Sequence, residues 1–384
     1  MKVAVVTGTR ADYGLLRPTI AALHSDSRFE LQLLVSAMHL SERFGSTERE
    51  IEFPIAARVP AAADDDDAGS LARRISLATA GFADAFAELQ PGALVVLGDR
   101  YEMLAAAIAA LAFGIPVAHI HGGELSEGSA DDAMRHCITK LSHLHFVATR
   151  AYGERVCQLG ERPERVHVVG AAALESIRDL PLLQADALAA ELGIALERPL
   201  VAFTFHPASL SPDGAAEQVA AVMAGVEEVS PGTVVVTLPN DDPGNGPVRA
   251  ALSRWTGVHA FESLGQLRYL SLLKSADAMV GNSSSGLIEA PAFELPVVNV
   301  GDRQRGRITA PNVIDCEPDG VADALRSALD PAFRDSLRGM ANPYGGGDMS
   351  AHVIEALAAL PRNVRDKEFL DLPDGSWRST LEFA

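Results

Sequence analysis

The sequence predicts an α/β protein with two Rossmann-like, doubly wound parallel-sheet domains facing one another across a cleft. Three observations predict it. Short, nearly continuous apolar runs rich in β-branched residues recur along the 384 residues, as expected of strands buried on both faces. Ala/Leu-rich segments of helical length separate these runs, and strand–helix alternation implies parallel sheets layered with helices. Six runs precede a helical bridge near 172–198 and six follow it, in a chain too long for one ordinary core.

In the first half the strands are KVAVVTG (2–8), ELQLLVSA (30–37), ALVVLGD (93–99), PVAHIHG (116–122), LHFVAT (144–149) and VHVVGA (166–171). In the second they are LVAFTFH (200–206), TVVVTLP (233–239), VHAFESL (258–264), AMVGN (278–282), PVVNV (296–300) and NVIDC (312–316). Between them lie helices such as YEMLAAAIAALAFG, where Gly114 suits a left-handed C-cap. The expected domains are 1–172, carrying catalytic loops, and 173–360, with 361–384 a terminal segment placed to return onto the first. The DDDD run at 64–67 reads as a solvated loop, because like charges repel and stay wet.

Composition narrows the function. Hydrophobic residues make up 48% and charged residues 22%, as in soluble globular proteins, and the formal net charge is −19. So acidic a chain is a poor partner for nucleic acid or an anionic membrane, and an anionic small substrate requires arginines focused in a cleft. Cys137, Cys157 and Cys316 are odd in number and widely spaced, which speaks against a disulfide framework or zinc knot and fits a reducing cytoplasm. MKVAVVTGTR reads as a strand rather than a signal peptide, and no apolar run reaches membrane-spanning length.

Ligands of open α/β sheets bind beyond the carboxyl ends of the strands, and the polar chemistry is concentrated there. GTRADYG lacks the three glycines of a dinucleotide fingerprint; its Arg10 meets a phosphate or is a surface arginine. GNSSSG offers Ser283, Ser284, Ser285 and Gly286 before a helix, either an anion cradle or a plain serine cap. Glu289, one to two turns into that helix, is placed for ribose hydroxyls, and Arg303, Arg305 and Arg307 favour a diphosphate. Asp99 beside Arg100 is a base or an ion-pair partner, and His206 ends a strand at the ligand edge. In AHIHGGELSEGSADDAMRH, His119 and His121 are expected to point to opposite faces and so not to share a metal. No H-E-x-x-H or other ligand spacing appears, and no metal is expected. Asp131 and Asp132 are either active-site acids or first-turn acids behind a Ser129 cap. His143 and His145 read as structural.

Together GTRADYG, SAMHLSERFGST, GDRYEM, HIHGGELSEG, DDAMRHCITKLSHLHF, FTFHP, VGNSSSGLIEAPAF and GDRQRGR resemble the hydrolysing UDP-N-acetylglucosamine 2-epimerases, in order from residue 2 to about 347. The resemblance implies a two-domain GT-B-like arrangement with a UDP-sugar in the cleft and no cofactor. It implies loss of the C2 proton as UDP leaves C1, a 2-acetamidoglucal, and water addition giving the free 2-epimer. Carried over by position, it implies catalytic roles for Asp99, Asp131 and His206, and nucleotide contacts for Arg10, Arg100, Asn240, Ser283, Ser284, Glu289 and Arg303. His39 matches a further active-site histidine. Where many relatives have glutamate this chain has His121, so either Glu124 takes that role or His121 is itself the acid–base group. Neighbouring carboxylates among Asp99, Glu124 and Asp131 are expected to raise one another's pKa. The HIHGGE variant resembles the branch acting on UDP-2,4-diacetamido sugars. A reversible UDP-sugar 2-epimerase and a GT-B glycosyltransferase are the alternatives, and a homo-oligomer, dimer or tetramer, is the implied assembly.

Overall fold

The computed structural model describes residues 1–42, 45–61, 68–127, 129–206, 214–239, 245–346, 348–361 and 367–371; Asn240 and the acidic run 64–67 lie outside the described residues. The chain divides into two compact units. One comprises Met1–Glu124, Asp131–Ser176 and Tyr344–Ala384, the other Leu125–Ala130 and Ile177–Pro343.

In the first unit β1 (Lys2–Thr7), β2 (Glu30–Ser36), β3 (Ile55–Val59), β4 (Ala93–Leu97), β5 (Val117–Ile120), β6 (Leu144–Val147) and β7 (Val166–Val168) form one sheet in the order β3-β2-β1-β4-β5-β6-β7. Every pairing is parallel. Val3 and Val5 of β1, Val95 of β4 and Phe146 of β6 join a core with Leu16, Ile20 and Leu23 of the helix Arg10–Ser25. On alternate positions Ala4, Val6, Leu94 and Val96 are buried as well. Both faces are therefore covered, which is why these strands carry no polar alternation. The helix Tyr101–Phe113 ends as expected on Gly114 at φ 63°, whose N–H reaches the carbonyls of Ala110 and Leu111.

β3 was not expected from the sequence. Its IAARV is half exposed at the sheet edge and alternates in burial, and its register against β2 shifts between Leu33 and Leu34. Five residues containing two alanines and an arginine lack the apolar run that marks the interior strands.

In the second unit β8 (Leu200–Thr204), β9 (Thr233–Thr237), β10 (His259–Phe261), β11 (Ala278–Gly281), β12 (Val297–Val300) and β13 (Val313–Cys316) are ordered β10-β9-β8-β11-β12-β13, again all parallel. Val201 and Phe203 face one core, with Val219 and Val222; Leu200 and Ala202 face another, with Leu188 and Leu272. Gly281 closes β11 at φ 140°, where a Cβ would collide with the Thr204 carbonyl of β8. Only glycine permits that approach.

Strand order reverses between β1 and β4 in one sheet and between β8 and β11 in the other. The segments leaving those four strands are Gly8–Arg10, Gly98–Arg100, Phe205–His206 and Asn282–Ser285, so topology selects much of the polar chemistry singled out above.

The domain limits differ from the sequence expectation. The chain rejoins the first unit at Tyr344 rather than 361, because the helix Met349–Ala358 buries Met349, Val353, Ile354 and Leu357 in the core that contains Leu16 and Ile20. Leu357→Ala should therefore cost about 2–5 kcal/mol, read as a lower denaturation midpoint; a loss below about 0.5 kcal/mol, the size of a surface substitution, would contradict that docking.

Candidate active site

At the β1 end Thr9 and Asp12 form a capping box at the start of the helix Arg10–Ser25. Asp12 accepts from the amides of Gly8 at 3.0 Å and Thr9 at 3.1 Å. Burial raises its pKa, opposed by the Thr7 hydroxyl and those amides. His39 is wholly buried. Its Nε2 lies 3.1 Å from Thr7 Oγ1 and its Nδ1 2.7 Å from Thr47 Oγ1, and burial pushes its pKa down to about 4. It is thus a neutral ring inside the wall behind the strand ends. Arg10, partly exposed, pairs with Glu50.

Next to it, at the β4 end, Arg100 Nε donates to Glu102 Oε1 at 2.7 Å. Glu102 is 0% exposed, and its carboxylate lies so close to Gly8 that a Cβ there would clash. Sequence reading missed Glu102, which hides in the apolar pattern of YEMLAAA.

The β5 end carries the second cluster. His119 is buried between the Gly98 carbonyl, 2.7 Å from Nε2, and Thr139 Oγ1, 3.2 Å from Nδ1. His121 turns elsewhere, in a left-handed backbone conformation at φ 66°. Its Nε2 accepts the Ala172 N–H at 3.1 Å, which places the ring proton on Nδ1, where it is donated to Glu124 Oε1 at 2.6 Å. Both ring nitrogens are engaged. Arg135, 3% exposed, donates to the His121 carbonyl at 2.8 Å and to Asp99, and its Nη1 stands 3.9 Å from Glu124 Oε2. A guanidinium thus bridges Asp99 and Glu124, in place of the mutually repelling carboxylates expected from sequence. Asp131 lies in the first turn of the helix Ala130–Leu141, one turn before Arg135. Arg135 itself was overlooked, although DDAMRH places it four residues from Asp131.

In the second unit Asn282 staples two strand ends. Its Oδ1 accepts the His206 N–H at 2.7 Å, its Nδ2 donates to the His206 carbonyl at 2.8 Å, and its own amide reaches Thr204 at 3.2 Å. His206 is buried there. Ser283 and Ser284 are half-buried, and the Tyr269 hydroxyl donates to Ser285 at 2.8 Å. The helix after the serines is a correction: it spans only Ser285–Ile288 and gives way to a 3-10 turn at Ala290–Phe293, so Glu289 ends the helix instead of lying inside it. Pro291 forbids its extension. Of the three arginines Arg303 joins this loop, donating to the Asn282 carbonyl at 3.3 Å beside Gln304 at 2.8 Å. Arg305 is exposed and 3.6 Å from Asp302, whereas Arg307 holds Leu125 O at 2.9 Å and Ser126 Oγ at 3.0 Å. Asn282, Tyr269 and Gln304 escaped sequence reading, although Asn282 stands within GNSSSG. Among the described residues no group of three or more His, Cys, Asp or Glu could hold a metal ion, and no helix is long and apolar enough to cross a membrane.

Comparison with known proteins adds a relationship to this geometry. The family model described as UDP-N-acetylglucosamine 2-epimerase matches residues 21–358. A Campylobacter jejuni protein named GDP/UDP-N,N'-diacetylbacillosamine 2-epimerase (hydrolyzing) is 37% identical over 340 residues, 87% of this chain and 88% of that protein. A Legionella pneumophila UDP-N,N'-diacetylbacillosamine 2-epimerase (hydrolyzing) is 36% identical over 366 residues, 94% and 96% of the two chains. The crystal structure of UDP-GlcNAc 2-epimerase from Neisseria meningitidis bound to UDP-GlcNAc superimposes with a TM-score of 0.79 at 20% identity, covering 94% of this chain and 100% of that one.

The buried histidines make acid stability measurable. His39 is held down to about 4 and His119 to about 3, each chiefly by burial. The unfolded chain binds protons on these rings from about pH 6.5 downward while the folded chain does not, so their stabilisation is full above that pH and lost as pH falls toward 4. The unfolding free energy should drop by up to about 1.4 kcal/mol per pH unit per ring in this window. His119→Asn should make the slope shallower in denaturant titrations between pH 6.5 and 4; an unchanged slope would refute the assignment.

Proposed function

We propose a function from one established premise: the chain belongs to the UDP-N-acetylglucosamine 2-epimerase family. The reading is a hydrolysing 2-epimerase that converts a UDP-linked 2-acetamido sugar to UDP and the free 2-epimer. The names of the Campylobacter and Legionella relatives, with 37% and 36% identity, support hydrolysis and favour a 2,4-diacetamido sugar over UDP-GlcNAc. The observation that carries the chemistry is the Arg135-centred cluster, which aligns two carboxylates while His121 holds one of them.

In this reading Glu124 removes the C2 proton, the C1–O bond breaks, and UDP departs with the electron pair, leaving a 2-acetamidoglucal. Water adds to C1 as Asp131, in its protonated form, gives a proton to the opposite face of C2; the proton the water loses restores Asp131, and Glu124 releases its proton to bulk solvent. Asp99 keeps Arg135 aligned. His121 is a positioning residue for Glu124, because its Nε2 accepts the Ala172 amide and its Nδ1–H donates to the carboxylate. Arg10, Arg100, Ser283, Ser284 and Arg303 are the proposed nucleotide contacts, with His206 the proposed hydrogen-bond donor to the leaving oxygen and Glu289 the proposed partner of ribose hydroxyls. Charge-assisted contacts of this kind stabilise the departing anion.

Turnover in D2O tests the reaction. Deuterium should appear at C2 of the free sugar in step with UDP release, followed by NMR with UDP-GlcNAc and UDP-2,4-diacetamido-2,4,6-trideoxyglucose as substrates. Retention of the original proton would overturn the elimination, and a UDP-linked epimer without free UDP would move the chain to the reversible class.

The division between Glu124 and His121 has its own test. Glu124→Gln should lower kcat by about 10²-fold or more, as expected for loss of an acid–base group. His121→Ala should lose less and keep the shape of the pH–rate profile. A profile that loses a limb in His121→Ala while Glu124→Gln stays active would make the histidine the proton-transfer group.

A further inference from the structure

One buried acid beneath the strand ends has no part in the steps above. Glu102 lies in the first turn of the helix Tyr101–Phe113 and is 0% exposed. Its Oε1 accepts from Arg100 Nε at 2.7 Å, and its Oε2 is buried with no hydrogen-bond partner. Gly8 closes over the carboxylate so tightly that a side chain there would collide with it. The carboxylate is thus enclosed, and Arg100 supplies its cationic partner.

The charged and titratable groups facing Glu102 come from three elements. Asp12 of the helix Arg10–Ser25 is a second buried acid that disfavours its negative charge. Arg100 at the β4 end favours that charge. His39, in the 3-10 turn Ala37–Leu40 after β2, is held neutral by burial. Burial is the largest influence on Glu102 and raises its pKa, with Arg100 opposing. Whatever draws on the Arg100 charge weakens that opposition.

We propose that Glu102 is a positioning residue that aims Arg100 at an incoming diphosphate and takes up one proton, on Oε2, when that diphosphate shares the guanidinium. The inference rests on the nucleotide role of Arg100 in the preceding reading. The proton comes from bulk buffer and no covalent bond to ligand forms. With the buried acid neutralised, the guanidinium serves one anion at a time, and the free protein keeps a partly buried cation compensated. The sign follows directly. Ligand raises the proton affinity of Glu102, so low pH favours UDP binding and affinity falls as pH rises from the free toward the bound pKa.

Calorimetry of UDP binding to the full chain, in buffers of different ionisation heat between pH 7.5 and 9, tests this above the phosphate's own titration near about 6. The intact protein should take up as much as about one proton per UDP, with Kd rising up to about tenfold per pH unit. Glu102→Gln retains an acceptor for Arg100 but no ionisable group. It should still bind UDP, with no proton uptake and a Kd independent of pH. An infrared difference spectrum of the intact protein should gain a protonated-carboxyl band on UDP addition, a readout that stands even if the variant does not fold. Equal proton uptake in Glu102→Gln, or UDP binding to the intact protein with neither uptake nor the band, overturns the inference while leaving the diphosphate role of Arg100 in place. Failure of the intact protein to bind UDP overturns both.

Discussion

The buried guanidinium of Arg135 is the constraint on which the first unit's site depends. A cation 3% exposed is tolerable only when anions and carbonyls satisfy it. Asp99, the His121 carbonyl and Glu124 surround it, and the cluster joins three separate pieces of chain. Asp99 follows β4, His121 and Glu124 follow β5, and Arg135 projects from the helix Ala130–Leu141. Moving any one of them leaves a charge uncompensated, so electrostatics fixes geometry that propensity alone would leave loose. The other end of that helix is fixed as firmly. Lys367 donates to the carbonyls of Thr139 at 3.2 Å and Lys140 at 2.6 Å, and pairs with Glu161 at 2.8 Å. A cation on those carbonyls also complements the helix dipole.

The two units reach similar surroundings by the same topology. Parallel strands deliver backbone termini side by side, and the reversal of strand order leaves space above them. Each unit then closes that edge with one polar residue acting on main chain: Asp12 on the Gly8 and Thr9 amides, Asn282 on both backbone groups of His206. Such bonds cost little entropy, since the groups they hold are already fixed by the sheets.

Much of this was legible in the sequence, for reasons that also explain what was not. The interior strands announce themselves because burial on both faces demands unbroken apolar runs; among the edge strands the exposed β10 was still readable from VHAF, whereas β3 was not. The opposite placement of His119 and His121 was expected from strand alternation, but residues two apart on a strand share a face; the two part because β5 ends at Ile120 and His121 turns in a left-handed conformation, and the proton position on His121 depends on Ala172, 51 residues away. Arg135 and Glu102 are polar residues within helical segments, and sequence alone does not say whether such a residue faces water or a buried partner. The shortness of the helix after GNSSSG was readable, since Pro291 stands just beyond it. Reading the serines as a helix start overlooked it.

A chain with net charge −19 that is to hold a diphosphate faces a general difficulty. Its arginines near the strand ends are each already paired, Arg10 with Glu50, Arg100 with Glu102 and Arg303 with the Asn282 carbonyl, as is Arg135 of the helix Ala130–Leu141 with Asp99. Commitment keeps a guanidinium aligned and offsets the cost of partial burial while no ligand is present. It also means that an arriving anion exchanges with an internal partner instead of meeting a bare cation. The net gain is then a difference between two ion pairs, smaller than the Coulomb attraction of either. In the proposed reaction, where every cycle ends with release of UDP, that smaller difference lets the product leave.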